Sequence, residues 1–241
     1  MSAIWVICKR EFRAYFDSTI AYIFITVFLA VTTGLYMFSF YAAGRAEMRS
    51  FFSLLPIILM VFIPAVTMRL WAEDKKLGTL ELLLTMPMKA YQVVVGKFLA
   101  ALLFYLVALA GTLTIPILLA VVGKPDFGPI VGGYVGAVLL GSFYLALGLF
   151  VSGLCRDQIV AFILALVAAF ALFMLGTEFV ATFLDGWLNG LGTFLRNYVG
   201  MTLHFEGVER GVIDVKNIIY FISGTAVFLI LNTYSLEGRK Y

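Results

Sequence analysis

Charged residues are gathered into short clusters along this chain, and between the clusters lie six uncharged stretches. They run from Asp17 to Arg45, Arg49 to Arg69, Lys97 to Lys124, Asp126 to Arg156, Asp157 to Glu178 and Lys216 to Glu237. An apolar run of about 18 residues or more is long enough, as a helix, to cross a hydrocarbon core of roughly 30 Å. The pattern predicts an all-α integral membrane fold with six transmembrane helices, over 19–43, 50–68, 98–123, 127–155, 158–177 and 217–236. The longest connections, 69–97 and 178–216, are too small for an independent core, so residues 1–241 read as a single membrane domain. The first run far exceeds the 7–15 apolar residues of a secretory signal and reads as a true span.

The segments outside the spans are also patterned. Residues 2–17 place Trp5, Cys8, Phe12, Tyr15 and Phe16 at helical spacing, with Lys9, Arg13 and Asp17 on another side. This predicts a helix lying in the headgroup plane, where Trp and basic residues are favoured. Pro56 and Pro64 in the second span and Pro116 in the third each remove a backbone hydrogen bond and predict kinks. The fourth span is glycine-rich, and Gly132 and Gly136 form a GxxxG pair that permits close helix approach; tight packing is favoured there over dimerisation. Residues 179–205 are apolar yet broken by Asp185, Gly186, Gly190, Gly192 and Arg196. Two short half-helices fit better than one span, so a re-entrant hairpin dipping in from the outer face is expected in 178–216.

Composition agrees with the pattern: 63% of residues are hydrophobic and 13% charged, against roughly a quarter charged in soluble domains. The net charge of +3 matters less than its distribution. With the N-terminus inside, the inner segments carry eleven Lys and Arg and the outer ones six, which predicts cytoplasmic termini by the bias of basic residues to that side. Cys8 and Cys155 then lie at the inner edge, where thiols stay reduced. A multi-pass protein of the inner membrane of a prokaryote is the expectation.

Absent chemistry narrows the function. The uncharged runs hold no Asp, Glu, Lys or His for a driving ion; their polar residues include Thr32, Thr33, Thr112, Ser142, Thr225 and Asn232, which usually bond a carbonyl one turn back. Glu178 reads as a hairpin-capping or snorkelling carboxylate before a substrate-path residue. His204, the single histidine, suggests a metal site with Glu206 and Glu209 nearby, but the bland reading is preferred because such sites need three or four ligands in a defined pattern. No GxxxxGK[ST] loop binds nucleotide, and no nucleophile has a histidine to activate it. The chain is therefore expected to hold no catalytic residue, cofactor or metal, and to be a pore, a scaffold or one subunit of a machine powered elsewhere.

One stretch speaks for the last reading. Residues 73–88, EDKKLGTLELLLTMPM, join spans two and three on the inner side. Gly78 can end the preceding segment, Thr79 can cap a new helix, and Met86-Pro87 closes it. The stub, about two turns long, is unstable alone. Leu80, Leu83 and Leu84 share the face that rests on the bundle, while Glu81, with Glu73, Asp74, Lys75 and Lys76 upstream, faces a soluble partner. An ordinary polar loop is the competing reading.

This stretch resembles the ExxxGTLExLLxxP signature of the ABC-2 family of transporter permeases, and the six-span layout, interfacial helix and outer hairpin are similar to that family throughout. The closing residues 204–241 resemble the subgroup of gliding-motility and nitrous-oxide-reductase-maturation permeases. The resemblance implies that residues 69–97 form a cytoplasmic coupling loop whose coupling helix docks on a separate P-loop ABC ATPase, with contacts from Glu73, Gly78, Thr79, Leu80, Glu81, Leu82, Leu83 and Leu84 and with Pro87 ending the element. It further implies two ATPase copies carrying the ATP and Mg, a second permease copy or paralogue, membrane lipid and an envelope partner; nucleic acid is not expected. The function implied is ATP-driven export, the alternatives being a scaffold that transmits mechanical work or a passive channel.

Overall fold

The computed structural model describes residues 3–43, 47–80, 88–123, 126–187, 190–209 and 214–238, and among them the chain is helical and without strands. The helices are α1 (Ala3–Phe16), α2 (Thr19–Ala43), α3 (Arg49–Thr67), α4 (Arg69–Lys76), α5 (Ala90–Gly111), α6 (Thr114–Val122), α7 (Phe127–Leu154), α8 (Gln158–Leu175), α9 (Glu178–Asp185), α10 (Leu191–Tyr198), α11 (Met201–Glu209) and α12 (Val215–Glu237). Six segments are long and apolar enough to cross a membrane: α2, α3 running into α4, α5 running into α6, α7, α8 and α12. Six crossings put α1, α4 and the end of α12 on one side of the bundle and α9 to α11 on the other.

α7 is the central helix, packed against α3, α4, α5, α8, α11 and α12. Its glycines allow this: Phe52 of α3 lies against Gly133, Val208 of α11 against Gly136, Tyr105 of α5 against Gly141 and Thr67 of α3 against Gly148. A β-carbon at any of these positions would fall within 2.4 Å of the neighbouring side chain, far inside contact distance. The small residues of the fourth span thus serve packing within this chain. Tyr105 adds a hydrogen bond from its hydroxyl to the Ala137 carbonyl at 2.8 Å.

The prolines act unequally. Pro56 and Pro64 lie inside a continuous α3, whereas the third span breaks between α5 and α6 at residues 112–113. Pro116 has no N–H for the Thr112 carbonyl, and that carbonyl instead accepts from the Ile115 N–H at 3.0 Å and the Tyr134 hydroxyl at 3.1 Å. A tighter turn and a neighbouring helix replace the lost bond, as backbone polar groups in hydrocarbon require. Thr32, Ser142 and Thr225 bond carbonyls four residues back, at 2.7 Å each. Asn232 does not: its fully buried amide has no hydrogen-bond partner among the described residues.

Between the fifth and sixth spans stand three short helices where the sequence suggested two. α9 and α10 form a hairpin fastened by Asp185, whose carboxylate accepts from the Gly192 N–H at 2.7 Å and the Thr193 N–H at 3.1 Å as well as from the Thr193 hydroxyl. Gly190 turns the chain at φ +81°, in the left-handed region that favours glycine. Gly192 sits so close to the Ala181 carbonyl that no side chain fits. α11 instead enters the bundle, burying Met201, Phe205 and Val208. The aromatics Phe179, Phe183, Trp187 and Tyr198 remain exposed along the hairpin, an apolar surface suited to contact with lipid.

Candidate energy-transmission site

The site starts from four charged residues, which distance along the chain does not associate. Lys97 lies one turn beyond the start of the apolar core of α5, a helix that begins at Ala90, so it is part of that helix and not the end of a loop. Its side chain is only 1% exposed. A buried ammonium is costly unless its charge and its three donors are answered. Here the Leu70 carbonyl accepts at 2.7 Å and Glu11 Oε1 at 3.1 Å. Asp74 Oδ2 stands at 2.8 Å, an ion contact at an angle unsuited to a hydrogen bond. The Trp71 ring lies 4.9 Å from Nζ, in range for cation–π attraction.

Three elements far apart in sequence, α1, α4 and α5, thus meet on one charge. Burial alone pushes the Glu11 carboxyl up, but Lys97 and Arg10 outweigh it and hold the group below the usual carboxylate range. Arg10 is 2.6 Å from Glu11.

α4 is secured on its other side. Ser152 of α7 accepts from the Trp71 and Ala72 N–H groups at 3.2 and 3.4 Å and donates to the Met68 carbonyl at 2.9 Å, bridging the joint between α3 and α4. Lys75 donates to the Gly153 and Cys155 carbonyls at the end of α7, where unpaired carbonyls and the helix dipole favour a cation. Arg69 donates to the Ala14 carbonyl at 3.0 Å and lies 4.4 Å above the Tyr15 ring, while the Tyr15 hydroxyl donates to the Val66 carbonyl at 3.0 Å. α1 is clamped to the ends of α3 and α4 by these contacts.

The connection to the next segment is equally specific. Gly78, at φ +70°, follows the last turn of α4, in the left-handed conformation that ends many helices. The Thr79 hydroxyl donates back to Asp74, at 3.1 Å to Oδ1 and 3.2 Å to the carbonyl, where the sequence suggested it as a cap for the following helix. Residues 79 and 80 begin a new helical turn. Leu80 is buried against the bundle, whereas Glu73, Gly78 and Thr79 are exposed. Glu81, Leu82, Leu83, Leu84 and Pro87 lie outside the described residues. A chain of polar contacts runs from Thr79 through Asp74 and Lys97 to Glu11.

Sequence reasoning missed the centre of this arrangement. Lys97 was counted among basic loop residues that set orientation, although a lone lysine inside QVVVGKFLAALL is a recognisable signal of a buried, paired charge. Nothing in the sequence marks Glu11 or Ser152 as its neighbours. On the opposite side, Glu178 is 3.8 Å from Arg196, which ties α9 to α10. His204 stacks on Tyr220 at 4.1 Å, with Nδ1 3.0 Å from Asn217 Oδ1 and Nε2 3.2 Å from the Asn197 carbonyl. Both ring nitrogens are engaged in joining α11 to α12 and α10.

Fold and site together define an all-helical, multi-pass membrane protein with a polar joint at one end of its bundle. Residues 41–234 match the profile of the family described as ABC-2 family transporter protein, and the chain belongs to that family. It is a permease component of such a transporter. The match goes no lower than the family, and no curated protein matches the chain.

Proposed function

We propose that this chain is the membrane subunit of an ATP-driven ABC-2 exporter, paired with a second permease above two copies of a separate P-loop ATPase that carries the ATP and Mg. Residues 73–87 receive the ATPase stroke. The observation that carries the reading is the polar chain Thr79–Asp74–Lys97–Glu11, which links the start of that segment to α1 and α5 at once. A lever works only if it is stiffly attached, and a loop held by water alone would absorb the motion. Here movement at Thr79 is passed to α4, which Ser152 and Lys75 join to the central helix.

The test is purification of the tagged protein from its native membrane in mild detergent, followed by assay of ATP hydrolysis. The expected result is a stoichiometric ATPase that Glu81→Arg displaces or uncouples, and that Asp74→Asn leaves bound but uncoupled. Full coupled hydrolysis in both variants, or a chain that purifies without any ATPase, defeats the proposal.

A further inference from the structure

A cavity of about 710 Å³ opens against the exposed side of the same polar joint, within the roughly 300–1,000 Å³ of small-molecule sites. Its depth is fixed by the elements that reach it. Asp17 and Ser18 lie where α1 turns into the first span, Arg69 where α3 passes into α4, and Gln158 where α8 begins. Ends of three spans share its wall, which places it at the headgroup level of the leaflet that carries α1. The cavity is also continuous with the lipid-facing side of α2, because Ile20 and Phe24 form part of its wall and Ile20 is 53% exposed.

Its charges are unequally used. Lys97 is fully answered by the joint. The carboxylates of Asp17 and Glu73 are exposed, and neither has an ion pair or side-chain hydrogen bond among the described residues. On the same cavity, Arg69 has one hydrogen bond, to Ala14, and Arg10 one partner, Glu11, so both guanidinium groups keep donors for an anion. Free anions, available guanidinium donors and an apolar wall in one space match a ligand with an ammonium, a phosphate and a hydrocarbon tail.

We propose that this cavity holds the headgroup of an amine-bearing zwitterionic phospholipid, a phosphatidylethanolamine, from the leaflet beside α1. The ammonium donates to Asp17 and Glu73, the phosphate accepts from Arg69 and Arg10, and an acyl chain follows Ile20 and Phe24 into the bilayer. Phosphatidylglycerol lacks the cation, and the methylated ammonium of phosphatidylcholine has no N–H to donate. A lipid seated there bridges α1 to α4 beside the Lys97 joint. Glu73 is shared with the segment proposed above to receive the ATPase stroke, and the lipid assay reads the partner of the ammonium without reference to ATP hydrolysis.

The test is native mass spectrometry of the purified full-length protein in detergent, with the three phospholipids supplied in equal amounts. Retention of phosphatidylethanolamine about tenfold over the other two, the effect of one charge-assisted hydrogen bond, is expected. The double variant Asp17→Asn with Glu73→Gln removes exposed charges only and should abolish that preference while leaving the melting temperature unchanged; Asp17→Lys alone should do the same. Equal retention of the three lipids, or a preference that survives both variants, overturns it. So does binding of phosphoethanolamine without acyl chains at equal strength, which would make the ligand a soluble one. Loss of a bound protein from the double variant with lipid preference intact would assign the cavity to a protein partner instead.

Discussion

The two ends of the bundle hold their polar groups in opposite ways. On the α1 side Lys97, Glu11 and Asp74 are sequestered and answered by one another, and the elements they join come from residues 11, 74 and 97. On the far side Asp185, Glu178 and Arg196 connect residues close in sequence and lie nearer to solvent, Glu178 being 80% exposed. Paired charges in a low-dielectric setting are strong and intolerant of losing a partner, whereas exposed pairs are screened and weak. The first arrangement suits a joint that passes on force, the second a cover that opens at little cost.

Four experiments would break or sharpen this contrast. The largest effect is expected from Lys97→Met, which leaves two carboxylates facing one another without their cation. Loss of stability on the order of 3 kcal/mol should appear as a lowered melting temperature in detergent. Adding Glu11→Gln and Asp74→Asn to the same variant should restore most of it, and failure to do so would show that the lysine's packing on Trp71 matters more than its charge.

Next in size, Gly141→Ala should lower stability by about 1–3 kcal/mol, because the new methyl meets the Tyr105 ring at 2.2 Å. Wild-type stability in this variant would mean that α5 and α7 are looser than their contacts indicate. On the far side Asp185→Asn should leave the bundle intact and loosen only the hairpin, a smaller effect read as faster protease cleavage between α9 and α10. Hydrogen bonds from Thr193 above all hold the Asp185 carboxyl below its ordinary range. Its stabilisation is therefore present above the unfolded carboxylate value near 4 and is lost as pH falls through the folded value. Cleavage in the wild type should accelerate on acidification, and in Asp185→Asn it should not.

The smallest change has the opposite sign. Asn232 is buried against Gly153 with no partner for its amide among the described residues, and Asn232→Leu should be neutral or stabilising by about 1 kcal/mol, since an unanswered polar group is removed. A clear destabilisation would reveal a hydrogen bond from bound water.

Legibility in the sequence followed the range of the interactions. Span positions could be read because an uncharged run of sufficient length satisfies its own backbone as a helix and needs nothing from elsewhere. Gly78 and Gly190 were legible as breaks for the same local reason, each adopting a positive φ. Pro116 was readable as a kink, but the partner that answers the freed Thr112 carbonyl, Tyr134, was not. Asp185 was visible only as an interruption, and its bonds to Gly192 and Thr193 required the hairpin to form. The stretch 73–88 stood out by its pattern, while the contacts of Asp74 with α5, and through Lys97 with α1, were hidden.

By itself, then, the sequence determined which residues must lie in hydrocarbon, how many times the chain crosses it and where the backbone turns, since burial of apolar surface and local hydrogen bonding are properties of contiguous residues. Only the tertiary structure decided that Lys97 is a structural centre and not one more loop charge. Its environment is set by Glu11 and Asp74, which reach it solely because α1 and α4 pack on α5. The cost of burying a charge depends on what surrounds it in space, and no pattern along the chain records that.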